Sequence, residues 1–322
     1  MPTTDPAASF EPYRRRLLGL AYRMLGSMAD AEDAVQETYL RWHGAGRDKV
    51  SHPRAFLMTT TTRICLDMLT SARARHEEYV GPWLPEPVLD TEALAPDSRT
   101  ELAEDLSIAL LLTLDRLSPL ERAAFLLHDV FDFSFSEVAT ALERGEAACR
   151  QLAARARTHV RAARPRGATA PVARPDQIDA RHAELMSAFV DATRSGDLQA
   201  LTQLLAGDVR VVTDGGGKAQ AALNVLDGAD RAGRFLIGAA RKGWRENFTL
   251  RFASINGLPG VLVDSPDGLV QTNAFEIEDG VIRALYVVRN PDKLRHLGAV
   301  GSPHTTPEQV ADAARISGSE RR

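Results

Sequence analysis

The stretch SFSEVATALERGEAACRQLAARAR, residues 134–157, predicts two short helices joined by a tight turn. On a helical wheel of residues 146–164, at about 100° per residue, one narrow arc is basic and holds Arg150, Arg157, Arg161 and Arg164. The opposite arc is apolar and holds Cys149, Leu152, Ala156 and Val160. One face can therefore pack while the other contacts phosphate groups, which is typical of a helix-turn-helix that binds duplex DNA.

The basic character of this stretch is local. Seven arginines lie between Ala141 and Arg166, against Glu143 and Glu146, whereas the whole chain of 322 residues has a net charge of −4. A basic patch on a chain that is acidic overall favours a docking surface for nucleic acid. The alternative is a solvated helix face whose arginines only keep the protein soluble.

Two capping boxes predict where helices of this region begin. Ser118 precedes a proline and has Glu121 three residues later, and Ser134 has Glu137 at the same spacing. A serine and a glutamate at this spacing satisfy the free N–H groups of a first helical turn. The recognition helix is then expected from about Gly145, with its first turns nearest the major groove.

Composition favours a reducing compartment. Only two cysteines are present, Cys65 and Cys149, both within amphipathic helical patterns, so we expect neither a disulfide framework nor a thiolate metal site. The N-terminus has no signal pattern, and the longest apolar stretch, around Ile108 to Leu112, is too short to cross a bilayer. We expect a soluble cytoplasmic protein without a membrane segment, a metal or a cofactor.

The pattern of helices, prolines and strands divides the chain into domains. The prediction is an all-helical domain over 8–76, a linker rich in proline over 77–100, a helix-turn-helix domain over 101–164, a second linker over 165–176, a third domain over 177–297 and a flexible tail over 298–322. In the third domain, helices near 178–196 and 227–241 accompany five strands, which are expected at 209–213, 248–255, 261–264, 269–277 and 281–288. Asp279 and Gly280 predict a two-residue hairpin. Helices with a curling antiparallel sheet indicate an α+β cone.

Several motifs resemble one known family. AYRMLGS at 21–27, followed by DAEDAVQET at 30–38, resembles region 2 of the extracytoplasmic-function (ECF) sigma factors of RNA polymerase, and residues 117–157 resemble their region 4. WLPEP at 83–87, DGGGK at 214–218 and NPDKL at 290–294 are similar to signatures of a subgroup with a fused SnoaL-like domain. The resemblance covers about residues 8–297. It implies a multidomain chain with two all-α sigma domains, a region 2 helical bundle and a region 4 helix-turn-helix, followed by an α+β SnoaL-like cone.

The resemblance implies core RNA polymerase and promoter DNA as partners. The polymerase β′ clamp helices would dock on the polar face of the acidic helix, at Asp33, Gln36 and Glu37, and the β subunit would contribute further contacts. The alternative is an ordinary solvated helix face.

The helix after Pro53 would, by resemblance, capture the melted −10 element. Candidate contacts are the side chains of Arg54, Arg63, Arg73 and Arg75, with the hydroxyl groups of Thr59 to Thr62. Arg63 could instead pair with Asp67 on its own helix. For the −35 element the expected contacts are Arg150, Gln151, Arg155 and Arg157, since Arg and Gln can bind guanine and adenine edges, and Arg161 is expected on phosphate. Relatives usually have Gly-Thr-Ser in the turn where this chain has Glu143, Arg144 and Gly145, so its left-handed position lacks a glycine.

The three subgroup motifs are expected to regulate the sigma domains. The predicted residues are Trp83, Leu84, Pro85, Glu86, Pro87, Asp214, Gly215, Gly216, Gly217, Lys218, Asn290, Pro291, Asp292, Lys293 and Leu294. In this hypothesis the cone docks on the sigma domains and tunes promoter binding, while the simpler interpretation is that the motifs are tight turns of the cone.

Catalysis by the cone is the other open possibility. Asp191, Asp208, Asp264, His182 and Tyr286 are available, but they form no recognisable acid–base constellation, and DGGGK lacks the Walker spacing. We expect no enzyme activity; a small-molecule ligand of the cone remains open. The predicted function is an alternative sigma factor that recognises −35 and −10 elements and directs transcription initiation. Its rivals are a ligand-responsive DNA-binding regulator and a SnoaL-type enzyme tethered to DNA.

Overall fold

The structure is a computed structural model that describes residues 6–45, 50–77, 79–89, 94, 106–163 and 180–297. It divides into two compact units, Met1–Glu78 with Thr91–Ala170 and Tyr79–Asp90 with Pro171–Arg322. The predicted linker 165–176 and the predicted tail 298–322 lie outside the described residues.

The first unit begins with three helices, α1 (Pro6–Leu25), α2 (Met28–Gly44) and α3 (Pro53–Glu77). The apolar repeat of α1 forms its buried side, with Phe10, Leu17, Leu20 and Met24 fully inaccessible. Ser27 caps α2 by accepting a hydrogen bond from the Asp30 N–H. The predicted helical periodicity is therefore confirmed, and burial of these faces against one another forms the core of the bundle.

The described residues 106–163 add four helices to this unit: α4 (Ile108–Asp115), α5 (Pro119–Phe125), α6 (Phe135–Leu142) and α7 (Glu146–Ala163). Both predicted capping boxes are formed, with Ser118 at the start of α5 and Ser134 at the start of α6. A π-helical turn, Leu126–Val130, extends α5. Helices α6 and α7 are the predicted helix-turn-helix.

The second unit is an α+β cone. It contains α8 (Ala180–Ser195), α9 (Leu198–Leu204), β1 (Leu205–Asp214), β2 (Leu226–Asp227), α10 (Ala229–Gly243), β3 (Thr249–Ile255), β4 (Leu258–Ser265), β5 (Gly268–Glu278), β6 (Val281–Val288) and the short α11 (Pro291–Leu294), which a 3₁₀ turn follows at Arg295–Leu297. The sheet order is β2-β1-β6-β5-β4-β3. Apolar residues of α8, α9, α10 and the sheet form one core, which includes Met186, Phe189, Leu201, Phe275 and Leu285.

The expectation of a purely antiparallel sheet is wrong in one place. β1 pairs with β6 in parallel, with Val211 opposite Leu285, whereas the other pairs are antiparallel. The long connection between β1 and β6, which contains α10 and four strands, allows β6 to return in the same direction as β1. The Asp279–Gly280 hairpin between β5 and β6 is confirmed, since both residues have positive φ, 52° and 76°.

Part of the predicted first linker packs in the second unit. Within residues 79–89, which we call the WLPEP segment, residues Leu84 to Val88 are buried. Val88 pairs with the β3–β4 turn, because its N–H donates to the Asn256 side chain (3.1 Å) and its carbonyl oxygen accepts from the Asn256 N–H (2.7 Å). This segment is therefore anchored on the cone over most of its length.

Candidate functional site

The acidic surface of α2 faces away from the bundle core. Its inner side is buried, including Val35 and Trp42, while Asp33 and Gln36 are exposed. Glu37 is half-buried at the edge of the same surface and pairs with Arg41 one turn later, at 2.9 Å. The three residues predicted for polymerase binding thus lie on one accessible helix face with a partial negative charge.

The arginines of α3 contact the helix-turn-helix part of the same unit. Arg54 donates from Nη2 to the carbonyl oxygen of Phe131 (2.5 Å), and its guanidinium lies 5.1 Å from the centre of the Phe133 ring. Arg63 donates to the carbonyl oxygens of Thr140 (2.9 Å) and Ala141 (3.0 Å), at the end of α6. Both side chains therefore satisfy backbone acceptors between α5 and the end of α6, and each uses part of the donor set that was predicted for promoter DNA.

Arg63 also pairs with Glu143 at 3.1 Å. The predicted alternative, a pair with Asp67 on its own helix, is therefore not the contact that orients this guanidinium. Glu143 adopts a left-handed conformation with φ 53° and ψ 46°, the position where the sequence lacked a glycine. The side chains of Arg73 and Arg75, in the last turns of α3, lie outside the described part of the structure.

Two of the predicted threonine contacts are wrong. Thr61 and Thr62 are buried, and their hydroxyl groups donate to the carbonyl oxygens of Leu57 (2.9 Å) and Met58 (2.8 Å). Thr60 donates in the same way to Phe56 at 2.8 Å but is only half-buried. The helix geometry places successive residues about 100° apart, so a run of four threonines cannot face DNA together.

Sequence reasoning missed two buried arginines that join the helical parts of the first unit. Arg122 at the start of α5 donates to the Met24 carbonyl oxygen at the end of α1 and pairs with Asp115 at 3.1 Å. Arg23 donates to the carbonyl oxygens of Gly19 and Leu94, and it lies 5.9 Å from the centre of the Phe131 ring. Burial lowers the pKa of Arg122, and Asp115 opposes this effect. An arginine at an apolar position of the helical pattern is the signal that could have identified either residue.

The basic face of α7 is mostly accessible. Gln151, Arg155 and Arg161 are exposed, and Arg150 is exposed beside Glu146, its ion-pair partner at 2.7 Å. Its apolar side is buried as predicted, with Cys149 and Ala156 fully inaccessible and Val160 nearly so.

Arg157 differs from the other arginines of this face. Its Nε donates to the Asp129 carboxylate at 2.6 Å, and only 30% of its side chain is exposed. This arginine is therefore bound to the π-helical turn after α5, rather than projecting freely like Arg161.

In the second unit, all three subgroup motifs meet at Asp214, the last residue of β1. Its carboxylate is fully buried and accepts hydrogen bonds from the Leu84 N–H (2.8 Å), the Lys293 ammonium group (2.7 Å) and the Tyr79 hydroxyl group. Its carbonyl oxygen accepts from the N–H groups of Arg289 and Asn290, at 2.7 and 3.1 Å. We call Asp214, Lys293, Asn290 and the residues they hold in the WLPEP segment the motif cluster.

Within the motif cluster, Lys293 contacts several residues of the WLPEP segment. The ammonium group donates to the Leu84 carbonyl oxygen (2.5 Å) and lies 4.3 Å from the centre of the Trp83 ring and 4.9 Å from that of Tyr79. Asn290 donates to the Tyr79 hydroxyl oxygen at 2.9 Å. Burial, followed by the hydrogen bond to Asp214, raises the pKa of Tyr79. Tyr79 was missed by sequence reasoning, although it lies only four residues before Trp83.

The remaining motif residues shape the borders of this cluster. Gly216 has φ 56°, and a Cβ atom there would overlap the Asn290 side chain, so only glycine allows the loop to approach so closely. Lys218 and Asp292 form an exposed ion pair, which lowers the pKa of Asp292. Near Glu86, the His296 side chain bonds to the Pro87 carbonyl oxygen at 2.8 Å. The remaining members Pro85 and Leu294 are buried, Gly215 is buried beside Ala219, and Gly217 and Pro291 are exposed.

The five residues considered for catalysis do not come together. Asp264 pairs with Arg251 at 2.6 Å, Asp208 pairs with Arg283 at 3.1 Å, and the Tyr286 hydroxyl group donates to Glu276 at 3.1 Å. Neither these residues nor His182 and Asp191 line the apolar cavity of the cone. Among the described residues, no group of three His, Cys, Asp or Glu side chains is placed to hold a metal ion. Both cysteines are free and buried.

The helices of the described ranges are all too short or too polar to cross a membrane. The first unit has the fold of a two-domain sigma factor, and comparison with known proteins agrees. Residues 10–75 match the sigma-70 region 2 family and residues 107–160 match the sigma-70 region 4 family.

Two relatives from Mycobacterium tuberculosis match nearly the whole chain. The ECF RNA polymerase sigma factor SigJ is 38% identical over 307 residues, which cover 92% of this chain and 94% of SigJ. The probable ECF RNA polymerase sigma factor SigI is 32% identical over 299 residues, 92% of this chain and 97% of SigI. The crystal structure of the M. tuberculosis extracytoplasmic function sigma factor SigJ superimposes with a TM-score of 0.65 at 34% identity, covering 90% of this chain and 98% of that chain. The chain belongs to the ECF RNA polymerase sigma factors and carries an α+β cone after its sigma domains.

Proposed function

We propose that this sigma factor binds core RNA polymerase through the α2 surface and reads promoter DNA with α3 and α7. The observation that carries this proposal is the separation of the two surfaces by charge. Asp33 and Gln36 are exposed on α2, while Arg155 and Arg161 are exposed on α7. An acidic surface repels DNA and attracts a basic protein partner, whereas a basic helix face attracts phosphate. The protein itself contributes no covalent chemistry to initiation.

We infer further that the described state of the helical unit is a resting state. The guanidinium donors of Arg54 and Arg63 that bind carbonyl oxygens of the helix-turn-helix part are not available to DNA in this arrangement. Opening of the contact between α3 and α6 would release both guanidinium groups. The carbonyl oxygens of Phe131, Thr140 and Ala141 can bind water once they are exposed. Opening therefore costs these hydrogen bonds, the exposed Arg63–Glu143 ion pair and the contact of Arg54 with the Phe133 ring.

The motif cluster is proposed to govern this change from the cone. Residues 79–89 connect the two sigma domains in sequence, and they are held by Asp214 and Lys293 of the cone. When the middle of a linker is bound, fewer of its residues are free to span the distance between the two domains that it connects. Retention of the WLPEP segment would therefore favour the closed arrangement of the sigma domains, and its release would favour the open one.

Run-off transcription with purified core polymerase tests the proposed function. We expect transcripts from a promoter template only when the full chain is added, and loss of polymerase binding for the variant Asp33→Lys, whose reversed charge repels the same partner. The matched control is Glu11→Lys, which reverses an exposed charge on α1 outside the α2 surface. Equal polymerase binding by both variants would exclude α2 as the docking surface.

Promoter binding, measured with and without core polymerase, separates the sigma factor from a regulator that acts alone. A DNA-binding regulator would bind its operator tightly without polymerase. The sigma factor should bind promoter DNA weakly by itself and tightly in the holoenzyme, because donors of Arg54 and Arg63 are bound to backbone carbonyl oxygens in the free chain.

A further inference from the structure

The cone encloses an apolar cavity that the proposed function does not use. Its volume is about 120 Å³, and aromatic side chains from α8, α10, the α10–β3 connection and β5 line it, among them Phe189, Phe235, Trp244, Phe248 and Phe275. A dry cavity of about 150 Å³ in another protein accepts benzene. The cavity therefore has room for a compound with a single ring, and not for a long acyl chain.

The polar groups at this cavity are cationic or neutral. Two arginines line it, Arg194 and Arg289, together with Thr213, Gln271 and Asn273, and the lining includes no Asp, Glu or His. Thr213 exchanges hydrogen bonds with the backbone of Ala222, and Asn273 donates to the Val261 carbonyl oxygen at 3.1 Å. Thr193 and Gln220 line the cavity as well; Thr193 donates to the Phe189 carbonyl oxygen, and Gln271 donates to the Asn273 side chain, at 2.7 Å each. Four of these five neutral side chains are therefore partnered, and the two guanidinium groups supply the charge that would select a ligand.

Arg289 presents an unused side to a ligand. Its Nη1 donates to the Gln220 carbonyl oxygen at 2.6 Å, whereas its buried Nε has no acceptor. Within the described residues, Arg289 forms no ion pair, and burial alone lowers its pKa. Nε and the adjacent Nη2 form the planar edge of a guanidinium that binds a carboxylate through two parallel hydrogen bonds. Arg289 is partly buried, and its Nε is buried without an acceptor, so an anionic ligand that accepts from this atom would compensate for its lost hydration.

Arg194 has a different environment. Its guanidinium stacks over the Trp244 ring at 4.6 Å, and its side chain is exposed at the rim of the cavity. It can increase the local positive potential and attract an anion, but it does not offer the same desolvated edge.

We propose that the cone cavity binds a small monocarboxylic acid with a single aromatic or alicyclic ring, whose ring fills the apolar cavity and whose carboxylate pairs with Arg289. Since no acid or base lines the cavity, the site binds this ligand without converting it. The inference is independent of how the sigma domains act.

Titration calorimetry on the full chain tests the site with benzoate, cyclohexanecarboxylate and the uncharged benzamide as probes. We expect benzoate and cyclohexanecarboxylate to bind, and benzamide to bind about 10- to 100-fold more weakly, which is the usual worth of a hydrogen bond to a charged group. Arg289→Met should weaken benzoate binding by a similar factor. The matched control is Arg231→Met. Arg231 lies on α10, one of the helices around the cavity, but its side chain is exposed and does not line the cavity, so this variant should bind benzoate as the wild type does.

A second variant distinguishes loss of the binding site from loss of the fold. Ala239 lines the cavity, and Ala239→Leu should fill it, so that benzoate binding is lost while Arg289 and the thermal unfolding temperature are retained. Three results would overturn the proposal: no heat of binding for either carboxylate at millimolar concentration, equal binding of benzoate and benzamide, or unchanged binding by Arg289→Met. These outcomes do not depend on transcription, so they are distinguishable from a failure of the proposed function.

Discussion

Asp214 and Lys293 form a buried ion pair at the centre of the motif cluster, with the Asp214 side chain fully buried and that of Lys293 8% exposed. Removal of one partner leaves the other charge buried without compensation, which costs about 3–5 kcal/mol. We therefore predict that Lys293→Met lowers the free energy of unfolding of the cone by roughly this amount, because Asp214 keeps only the Leu84 N–H and Tyr79 as donors. Denaturant unfolding followed by tryptophan fluorescence measures the effect.

The exposed pair of the same motifs supplies the control. Lys218 and Asp292 are 55% and 36% exposed, and an exposed pair contributes about 0–1 kcal/mol. Lys218→Met should therefore change the unfolding free energy little. If Lys293→Met and Lys218→Met lower the free energy of unfolding equally, burial does not determine how much each ion pair contributes.

Arg157 and Arg161 share the basic face of α7 but have different surroundings. Arg161 is exposed, whereas Arg157 is bound to Asp129 at 2.6 Å. We predict that Arg161→Gln reduces the slope of log affinity against log salt by about 0.9 in the holoenzyme, as expected for one lost phosphate contact. Arg157→Gln should reduce it less and should lower the stability of the helical unit, because it leaves the Asp129 carboxylate without this partner.

Fluorescence anisotropy on a promoter duplex at several salt concentrations measures both slopes. Glu11→Gln on α1 serves as a variant that should leave them unchanged. An Arg161 variant with the wild-type slope would place that side chain off the DNA.

At the scale of the element, the cap of α6 makes the helix-turn-helix sensitive to acid. Ser134 and Glu137 form a reciprocal capping box, and the hydrogen bonds from Ser134 lower the pKa of Glu137 below its ordinary value. The charged carboxylate therefore stabilises the folded form above its unfolded pKa, and this contribution is lost as the pH falls through the lower folded pKa.

Glu137→Gln keeps a cap acceptor but cannot titrate. We predict that the difference in unfolding free energy between the wild type and this variant is largest at neutral pH and shrinks as the pH falls below the ordinary pKa of glutamate and through the lower folded pKa of Glu137. Unfolding by urea, followed by circular dichroism across this pH range, measures the difference. A constant difference at all pH values would mean that the carboxylate charge has no part in the cap.

Much of each element was predictable from local chemistry. Capping boxes placed the starts of α5 and α6, and the Asp279–Gly280 pair placed the last hairpin, because these signals act within a few residues. Helix α9 was missed because its seven residues, Leu198–Leu204, run directly into β1 without a glycine or a proline between them. The apolar run gave no local sign of where the helix ends.

The sites were less predictable than the elements because their contacts join distant residues. The motifs identified Asp214 and Lys293 as important, yet only the fold brings both onto Leu84. The arginines of α3 could be recognised as DNA donors, but the acceptors that occupy Arg63, the carbonyl oxygens of Thr140 and Ala141, are backbone atoms and carry no sequence signal.

At the scale of the molecule, the helical unit must change between two arrangements if α3 is to reach DNA. The contact that closes it includes the ion pair between Arg63 and Glu143 and the hydrogen bonds of Arg63 to α6. These groups are half-exposed or exposed, so each contributes modestly and the contact can open without unfolding either part. The buried Arg122, in contrast, holds α5 to the end of α1.

A cleavable crosslink across this contact tests whether opening is needed. In the double variant Arg63→Cys with Glu143→Cys, a short bis-maleimide linker containing a disulfide should join α3 to the turn before α7, while the native Cys65 and Cys149 are buried and react slowly. We predict that the linked protein still binds core polymerase through α2 but produces no run-off transcript. Reduction of the linker should restore transcription to the level of the unlinked double variant, which already accounts for the loss of Arg63. Full transcription by the linked protein would mean that the closed helical unit is competent to start transcription, and that opening of the contact between α3 and α6 is not needed.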